Sequence, residues 1–228
     1  MSALSDKLRR ATAPQMVVAI SRWQWPRQLR AVARRALGRR PRIELYFAYD
    51  DPYSTIALPG LIEIARRHNS ELRLYPLIER GIAGDPAAAQ RARHAVADSR
   101  RLGLRDSREL RRREPLHAQD CAFLAVWTAA AHDHPGVNAF ATAALTQLWF
   151  GSDGPPARDQ YRALHQAHFG TAPPDARTEF AEALARNATR LRRLGHWESP
   201  AARIDRQWFF AHERLAQIDT CLQALAGA

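Results

Sequence analysis

The alternation of apolar and polar residues predicts a strand, a helix and a second strand close together in the chain. Ile43–Tyr49 is rich in β-branched and aromatic residues and is typical of a strand. Pro52–His68 repeats apolar residues at helical spacing, and Glu71–Leu77 alternates as a second strand. Connections this short predict a βαβ unit with parallel strands and a right-handed crossover.

The long middle of the chain has only helical periods. Five helices are predicted, at Pro86–Gly103, Pro115–His132, Val137–Phe150, 157–169 and 175–193. Clusters of glycine and proline separate the later helices from one another. The segment Arg105–Arg113 is strongly charged, and we expect it to face solvent.

The last part of the chain returns to strand patterns. Ala201–Asp205 and Gln207–Phe210 are predicted strands joined by a tight turn, and His212–Leu225 is a predicted amphipathic helix. The full order is therefore β-α-β, a block of helices, and then β-β-α. This order is typical of an α/β, thioredoxin-like fold that carries an all-helical insertion domain.

Charge divides the chain further. The net charge is +11, and residues 1–42 hold Lys7 and ten arginines against a single acidic residue, Asp6. The rest is close to neutral, which argues for an appended basic arm and against a nucleic-acid-binding fold. The predicted domains are a basic arm at 1–42, a thioredoxin-like domain at 43–80 and 194–228, and a helical insertion at 81–193.

The arm contains one predicted amphipathic helix, which starts at Pro26 and is terminated by Gly38. Its apolar face can pack on the domain or on a dimer partner. It can instead lie on an anionic membrane surface through residues 14–42, with Trp23 and Trp25 at the interface. Nucleic acid is a third alternative, which the near-neutral remainder of the chain disfavours.

The cysteines exclude one kind of chemistry. Cys121 and Cys221 are far apart, and neither belongs to a Cys-x-x-Cys pair, so the sequence has no local dithiol redox motif. Two cysteines in apolar helical runs fit a reducing compartment. No secretory signal is evident, and we expect a cytoplasmic protein. The alternative is a cytoplasmic protein that also contacts a membrane peripherally through the arm.

Several stretches carry a resemblance to a known family. They are Asp51-Pro52-Tyr53-Ser54 after the first strand, Phe140–Ala144 and Gln147–Phe150 in the helical block, Gly195–Pro200, and Phe209–Leu215. In this order they resemble the DsbA-like thioredoxin superfamily. Within it they are most similar to 2-hydroxychromene-2-carboxylate isomerases and kappa-class glutathione transferases.

The resemblance implies a glutathione-like or other small-molecule ligand, glutathione as the cofactor, and a homodimer. It also implies that Asp51, Ser54 and Tyr53 are catalytic. The residues it assigns to binding glutathione or substrate are Trp197, Ser199, Pro200 in a cis peptide bond, His212, Glu213 and Arg214.

The sequence departs from the family pattern at Asp51, where the family has a serine that faces the glutathione sulfur. An ionised carboxylate at that place raises the pKa of a neighbouring thiol and so opposes its activation. Asp51 before Pro52 is also a good start for a helix, so the carboxylate either caps the helix or serves as a general base or polar anchor. Glu213 replaces the family aspartate and keeps its charge.

Two hypotheses for function follow. The first is a glutathione-associated isomerase or transferase-like enzyme with a divergent active site and no dithiol chemistry. The second is a non-catalytic binding protein that uses the thioredoxin-like groove and is recruited by its basic arm to a membrane or partner. No metal site is predicted, because the paired histidines in the helical block have no cysteine or carboxylate cluster beside them.

Overall fold

A four-stranded sheet organises the part of the chain that the structure describes. The computed structural model describes residues 32–33, 36–78, 81, 84–151, 153–154, 156–174 and 178–227. The strands are β1 (Arg42–Ala48), β2 (Glu71–Leu77), β3 (Ala201–Ile204) and β4 (Gln207–Phe210), in the spatial order β2-β1-β3-β4. β1 is parallel to β2, whereas β3 is antiparallel to both of its neighbours.

Seven α-helices lie in the described ranges. They are α1 (Ser54–Arg67), α2 (Ala88–Arg105), α3 (Ala118–Ala130), α4 (Val137–Thr146), α5 (Arg158–Phe169), α6 (Thr178–Arg193) and α7 (Leu215–Gly227). The predicted order of strands and helices is confirmed, and with it the α/β fold class with helices between the two halves of the sheet. The last helix begins three residues later than predicted.

The two faces of the sheet are built from alternate residues of β1. Ile43, Leu45 and Phe47 point into the main core, which extends into α1, α7 and the inserted helices. Glu44 and Tyr46 point to the opposite side, which we call the second face of the sheet. There α6 packs on the sheet, and its Leu191 is buried together with Tyr46.

The carboxyl end of β1 is tied firmly to the inserted helices. Trp149, fully buried, donates a hydrogen bond from its indole N–H to the carbonyl of Tyr49 at 3.0 Å. The Tyr49 hydroxyl in turn lies 2.6 Å from the Thr128 hydroxyl on α3. Because buried polar groups are satisfied here, the strand end is held in one position relative to the helices above it.

One sequence expectation is wrong. Arg112, expected to face solvent, is buried, and its guanidinium donates hydrogen bonds to the carbonyls of Leu148, Asp153 and Gly154. The cause lies in the segment it contacts, because α4 continues into a π-helical turn at Gln147–Gly151. The carbonyls at the end of a helix lack partners within it, and the buried arginine supplies donors.

The basic arm lies mostly outside the described residues. Trp23, Trp25 and most of the predicted arm helix are not among them, so the arm's role stays a prediction, as do the exact domain boundaries. None of the described helices is long and apolar enough to cross a bilayer.

Candidate functional site

The chain turns sharply where β1 ends, and Asp51 lies at the centre of that turn. The Asp51 side chain is fully buried (0% exposed), and one carboxylate oxygen accepts the N–H of Tyr53 at 3.2 Å. The Ser54 N–H donates to the Asp51 carbonyl at 3.0 Å, just where α1 begins. The carboxylate therefore holds the first turn of the chain leading into α1, as a capping residue does.

The second carboxylate oxygen of Asp51 connects two distant parts of the sequence. It accepts a hydrogen bond from the Ser199 hydroxyl at 3.0 Å and a longer one from the Ser54 hydroxyl at 3.4 Å. The Ser199–Pro200 peptide bond beside it is cis. All three side chains of this Asp51 network (Asp51, Ser54, Ser199) are buried, so a ligand reaches them only if something above them moves.

Helix α2 covers this corner through Tyr53. The Tyr53 hydroxyl donates to the Asp98 carboxylate on α2 at 3.0 Å. Its ring stacks on His212, with centroids 3.9 Å apart and planes 18° from parallel. Tyr53 thus joins α1, α2 and the start of α7, and its ring is buried in that contact.

The other predicted residues lie at the edges of the corner. Trp197 is 52% exposed and stacks on His196, whose centroid lies 5.3 Å away. Glu213 and Arg214 are exposed just before α7, with Glu213 Oε1 3.6 Å from His212 Nε2. The predicted set therefore separates into a buried network and an exposed rim.

A cleft of about 530 Å³ opens beside the Asp51 network, and we call it the corner cleft. Asp50 borders it at the end of β1, and Glu198 borders it in the loop before the cis-proline. The cleft is also lined by the first turns of α2, with Arg91 and Arg93, and by the segment before α3, which contributes His117. A volume of this size is typical of sites for small ligands.

The corner cleft carries both signs of charge. Arg91 donates to the Asp85 carboxylate at 2.8 Å, and the Ala87 N–H donates to the same carboxylate at 3.0 Å. The Ala87 N–H and then Arg91 lower the pKa of Asp85, so this carboxyl stays ionised. Arg93 has no ion pair within the described part of the chain and is exposed to the cleft.

The two cysteines lie in helices, Cys121 in α3 and Cys221 in α7. Cys121 is fully buried in α3, where burial, reinforced by the Asp50 carboxylate, raises the pKa of its thiol well above the ordinary value. Neither Cys121 nor Cys221 forms a disulfide. Across the described ranges, no group of three or more histidine, cysteine or carboxylate side chains is arranged to hold a metal ion.

Three solved structures show which fold this is. The protein is similar to 2-hydroxychromene-2-carboxylate isomerase, with a TM-score of 0.56 and 14% identity over 81% of this chain and 95% of that one. A protein named "probable DsbA oxidoreductase" from Streptomyces coelicolor gives a TM-score of 0.60 and 13% identity, over 82% and 90%. The chain has a DsbA-like thioredoxin fold.

A periplasmic thioredoxin-like protein from Salmonella enterica serovar Typhimurium gives a TM-score of 0.53 and 14% identity, over 82% of this chain and 85% of that one. No family model and no curated protein matches the sequence. Identities this low establish the fold alone, and they do not establish the chemistry of the corner.

Sequence reasoning missed the residues that shape the corner cleft. Arg91 and Arg93 line the cleft, and Asp98 accepts the Tyr53 hydroxyl. All three lie on α2, whose sequence gives a helical period but no sign of these contacts. Asp50 lies in the turn after β1 and also borders the cleft. The only local signal was Asp85 before Pro86, a pair that favours the start of a helix.

Proposed function

We propose that this protein binds a small zwitterionic, peptide-like ligand of the glutathione class in the corner cleft and performs no dithiol redox chemistry. The observation that supports this most directly is the position of the cleft. It opens at the carboxyl end of β1, beside the cis-proline loop, and is lined by charges of both signs. Ligands of open α/β sheets bind outside the carboxyl ends of the strands.

The charges of the cleft match such a ligand. Glutathione carries two carboxylates and one ammonium group. Arg93 is available for a carboxylate, because an arginine binds it through two parallel hydrogen bonds. Asp50 and Glu198 also line the cleft and supply carboxylate oxygens for an ammonium group. The extended backbone next to Pro200 provides a further edge for a peptide-like ligand.

The corner has no residue that could carry out disulfide exchange. Disulfide exchange requires a thiolate as the attacking group. The turn into α1 has Asp51, Pro52, Tyr53 and Ser54 instead, and both cysteines lie elsewhere, in α3 and α7. Burial keeps the Cys121 thiol protonated.

Calorimetric titration with reduced glutathione tests the proposal. We expect the wild type to bind, and Arg93→Ala to bind at least roughly tenfold more weakly, since a hydrogen bond to a charged group contributes about 1.5–3 kcal/mol. Arg101→Ala is the matched control, because Arg101 is an exposed arginine on the same helix that does not border the cleft.

The outcomes separate the alternatives. A wild type that gives no heat with glutathione contradicts the proposed ligand class. If Arg93→Ala binds normally but Glu213→Ala does not, the ligand lies at the start of α7, as the family resemblance implies, and not in the corner cleft.

A second candidate is catalysis by an isomerase-like activity with glutathione. The Asp51 network favours it, because a carboxylate between two hydroxyls at 3.0 and 3.4 Å is an arrangement that can accept and return a proton. Asp51, Ser54 and Tyr53 would then act together once α2 shifts away. Turnover of 2-hydroxychromene-2-carboxylate that disappears in Asp51→Asn supports this candidate, and absent wild-type turnover removes it.

A further inference from the structure

Arginines collect on the second face of the sheet and along the adjoining side of α6. A depression of about 670 Å³ at the amino end of β1 is lined by Arg39, Arg40, Arg42 and Arg203. A second depression, of about 750 Å³, lies along α6 and is lined by Arg186, Arg190 and Arg193. We call these seven residues together the arginine face.

One buried carboxylate joins the two depressions. Glu44 Oε1 accepts a hydrogen bond from Arg190 at 2.7 Å, and Glu44 Oε2 accepts one from Arg203 at 2.9 Å. Arg190 belongs to the α6 depression and Arg203 to the other, so the two are continuous across this contact. The Arg190 guanidinium also lies 4.6 Å from the centre of the Tyr75 ring, which holds it in place.

Positive charge is in excess on this surface. The two depressions contain four carboxylates, those of Glu44, Glu71, Asp205 and Glu182, against the seven arginines. Glu44 is shared by two arginines, and Glu71 likewise lies against Arg42 and Arg73. A carboxylate shared in this way cannot accept every N–H of the two guanidinium groups beside it.

An exposed apolar side chain next to these charges favours one class of partner over another. Leu37 is 67% exposed just before Arg39 and Arg40, and Leu194 borders the α6 depression. An exposed leucine such as Leu37 beside arginines suits a lipid interface, where the guanidinium groups meet phosphates and the apolar side chain enters the boundary with the acyl chains. A nucleic acid offers the phosphates but no apolar layer.

The charge of the arm points the same way. Residues 1–42 carry almost the whole excess charge of the chain, and they join the fold at Arg42, inside the first depression. We propose that the arginine face is the surface with which this protein docks on an anionic phospholipid membrane, beside its basic arm. This inference is independent of what the corner cleft binds.

Co-sedimentation with vesicles tests it, using the full chain and vesicles of phosphatidylcholine with or without phosphatidylglycerol. The test variant is Arg186→Glu/Arg193→Glu on α6. The control is Arg101→Glu/Arg105→Glu on α2, which makes the same change of net charge on another helix, again with one residue in the last turn. Thermal melting of both variants checks that each is folded.

We expect the wild type and the control to sediment with the anionic vesicles only, and less so at high salt. The α6 variant should bind roughly tenfold more weakly or worse, since each basic residue near an anionic surface contributes about 1 kcal/mol. Equal binding by the two variants overturns the proposal, because the arm alone would then account for attachment. Wild-type protein that ignores the vesicles but binds a DNA duplex through Arg186 and Arg193 overturns it as well.

Discussion

Two buried carboxylates, one near each end of β1, are stabilised in different ways. Glu44, near the amino end of β1, lies between the guanidinium groups of Arg190 and Arg203. Asp51, just past the carboxyl end, receives hydrogen bonds from two serine hydroxyls and a backbone N–H. Glu44 therefore depends on opposite charges, and Asp51 on hydrogen bonds that hold a turn.

The difference suggests that the surface around Glu44 serves to bind a partner, whereas Asp51 serves to hold the corner closed. Two arginines around one carboxylate leave surplus positive charge at the surface, which a partner can use. Neutral hydroxyls around a carboxylate add no positive charge to the surface. They close the corner, so the accessible space is the cleft beside it. Substitutions at the two sites should therefore have different sizes and different consequences.

Removal of the Glu44 side chain should have the largest effect. Glu44→Ala leaves two partly buried arginines without their shared partner, and we expect a loss of about 3 kcal/mol in the free energy of unfolding. The value lies at the low end for broken buried ion pairs because Arg190 keeps 37% of its side chain in contact with solvent. Urea denaturation measures it.

The control for Glu44→Ala is Glu182→Ala, which removes an exposed partner of Arg186 at 3.4 Å on α6. An exposed pair of this kind contributes about 0.5 kcal/mol or less. Equal losses in the two variants would mean that the Glu44 cluster contributes no more than a surface ion pair, and the contrast with Asp51 would disappear.

Asp51→Ala should come next. It removes three accepted hydrogen bonds and leaves the hydroxyl of Ser199 and the N–H of Tyr53 buried without that partner, for a loss of about 2 kcal/mol. Asp51→Asn keeps one oxygen acceptor and should recover part of the loss. An unchanged denaturation midpoint in Asp51→Ala would show that the network does not hold the corner together.

Within the Asp51 network, the two serines should differ. Ser199→Ala breaks the shorter bond of 3.0 Å and should cost about 1 kcal/mol. Ser54→Ala breaks the longer bond of 3.4 Å, and alanine favours the first turn of α1, so we expect a change close to zero. Denaturation of the two variants side by side measures the difference, and a reversed order would contradict the distances.

The smallest predicted effect depends on pH. Burial lowers the pKa of His196 below its ordinary value of 6.5, and the nearby Glu198 offsets this only in part. The unfolded chain therefore binds a proton more readily than the folded one, so His196 should make the protein less stable as the pH falls below about 6.5, down to the folded-state pKa. Above that range His196 should have no such effect.

We expect His196→Gln to lose part of the difference in stability measured between about pH 7.5 and about pH 5.5, a change of about 1 kcal/mol or less. His165, whose pKa is also lowered by burial, supplies some of the remaining dependence. Identical pH dependence in the wild type and His196→Gln would show that His196 is not responsible.

Much of the fold could be predicted from the sequence because its signals are local. The strand pattern at Glu71–Leu77 and at Gln207–Phe210 matches the structure residue for residue. The position of Asp51 at the start of a helix follows equally from the proline beside it. Period and turn chemistry operate within a few residues, and sequence reasoning captures them well.

The contacts between residues far apart in the sequence could not be predicted, because they depend on how the helices and strands pack. The sequence around Asp98 does not predict its hydrogen bond with the hydroxyl of Tyr53. The sequence around Glu44 does not predict its hydrogen bond with Arg190. Arg112 looked like a solvated residue because its neighbours are charged, whereas the π-helical turn that needs its donors lies far along the chain. Such contacts are visible only in the folded protein.

The pairing of Ile43 with Ile204 has a consequence for how the protein is made. β1 emerges early during synthesis, but the strand that covers one of its edges emerges only after all of the inserted helices. Until then the N–H and C=O groups along that edge of β1 have no strand partner and are open to pairing with other chains. Contacts so distant in sequence also slow folding. A chain interrupted before Ala201 would keep that edge uncovered, and we expect such fragments to aggregate.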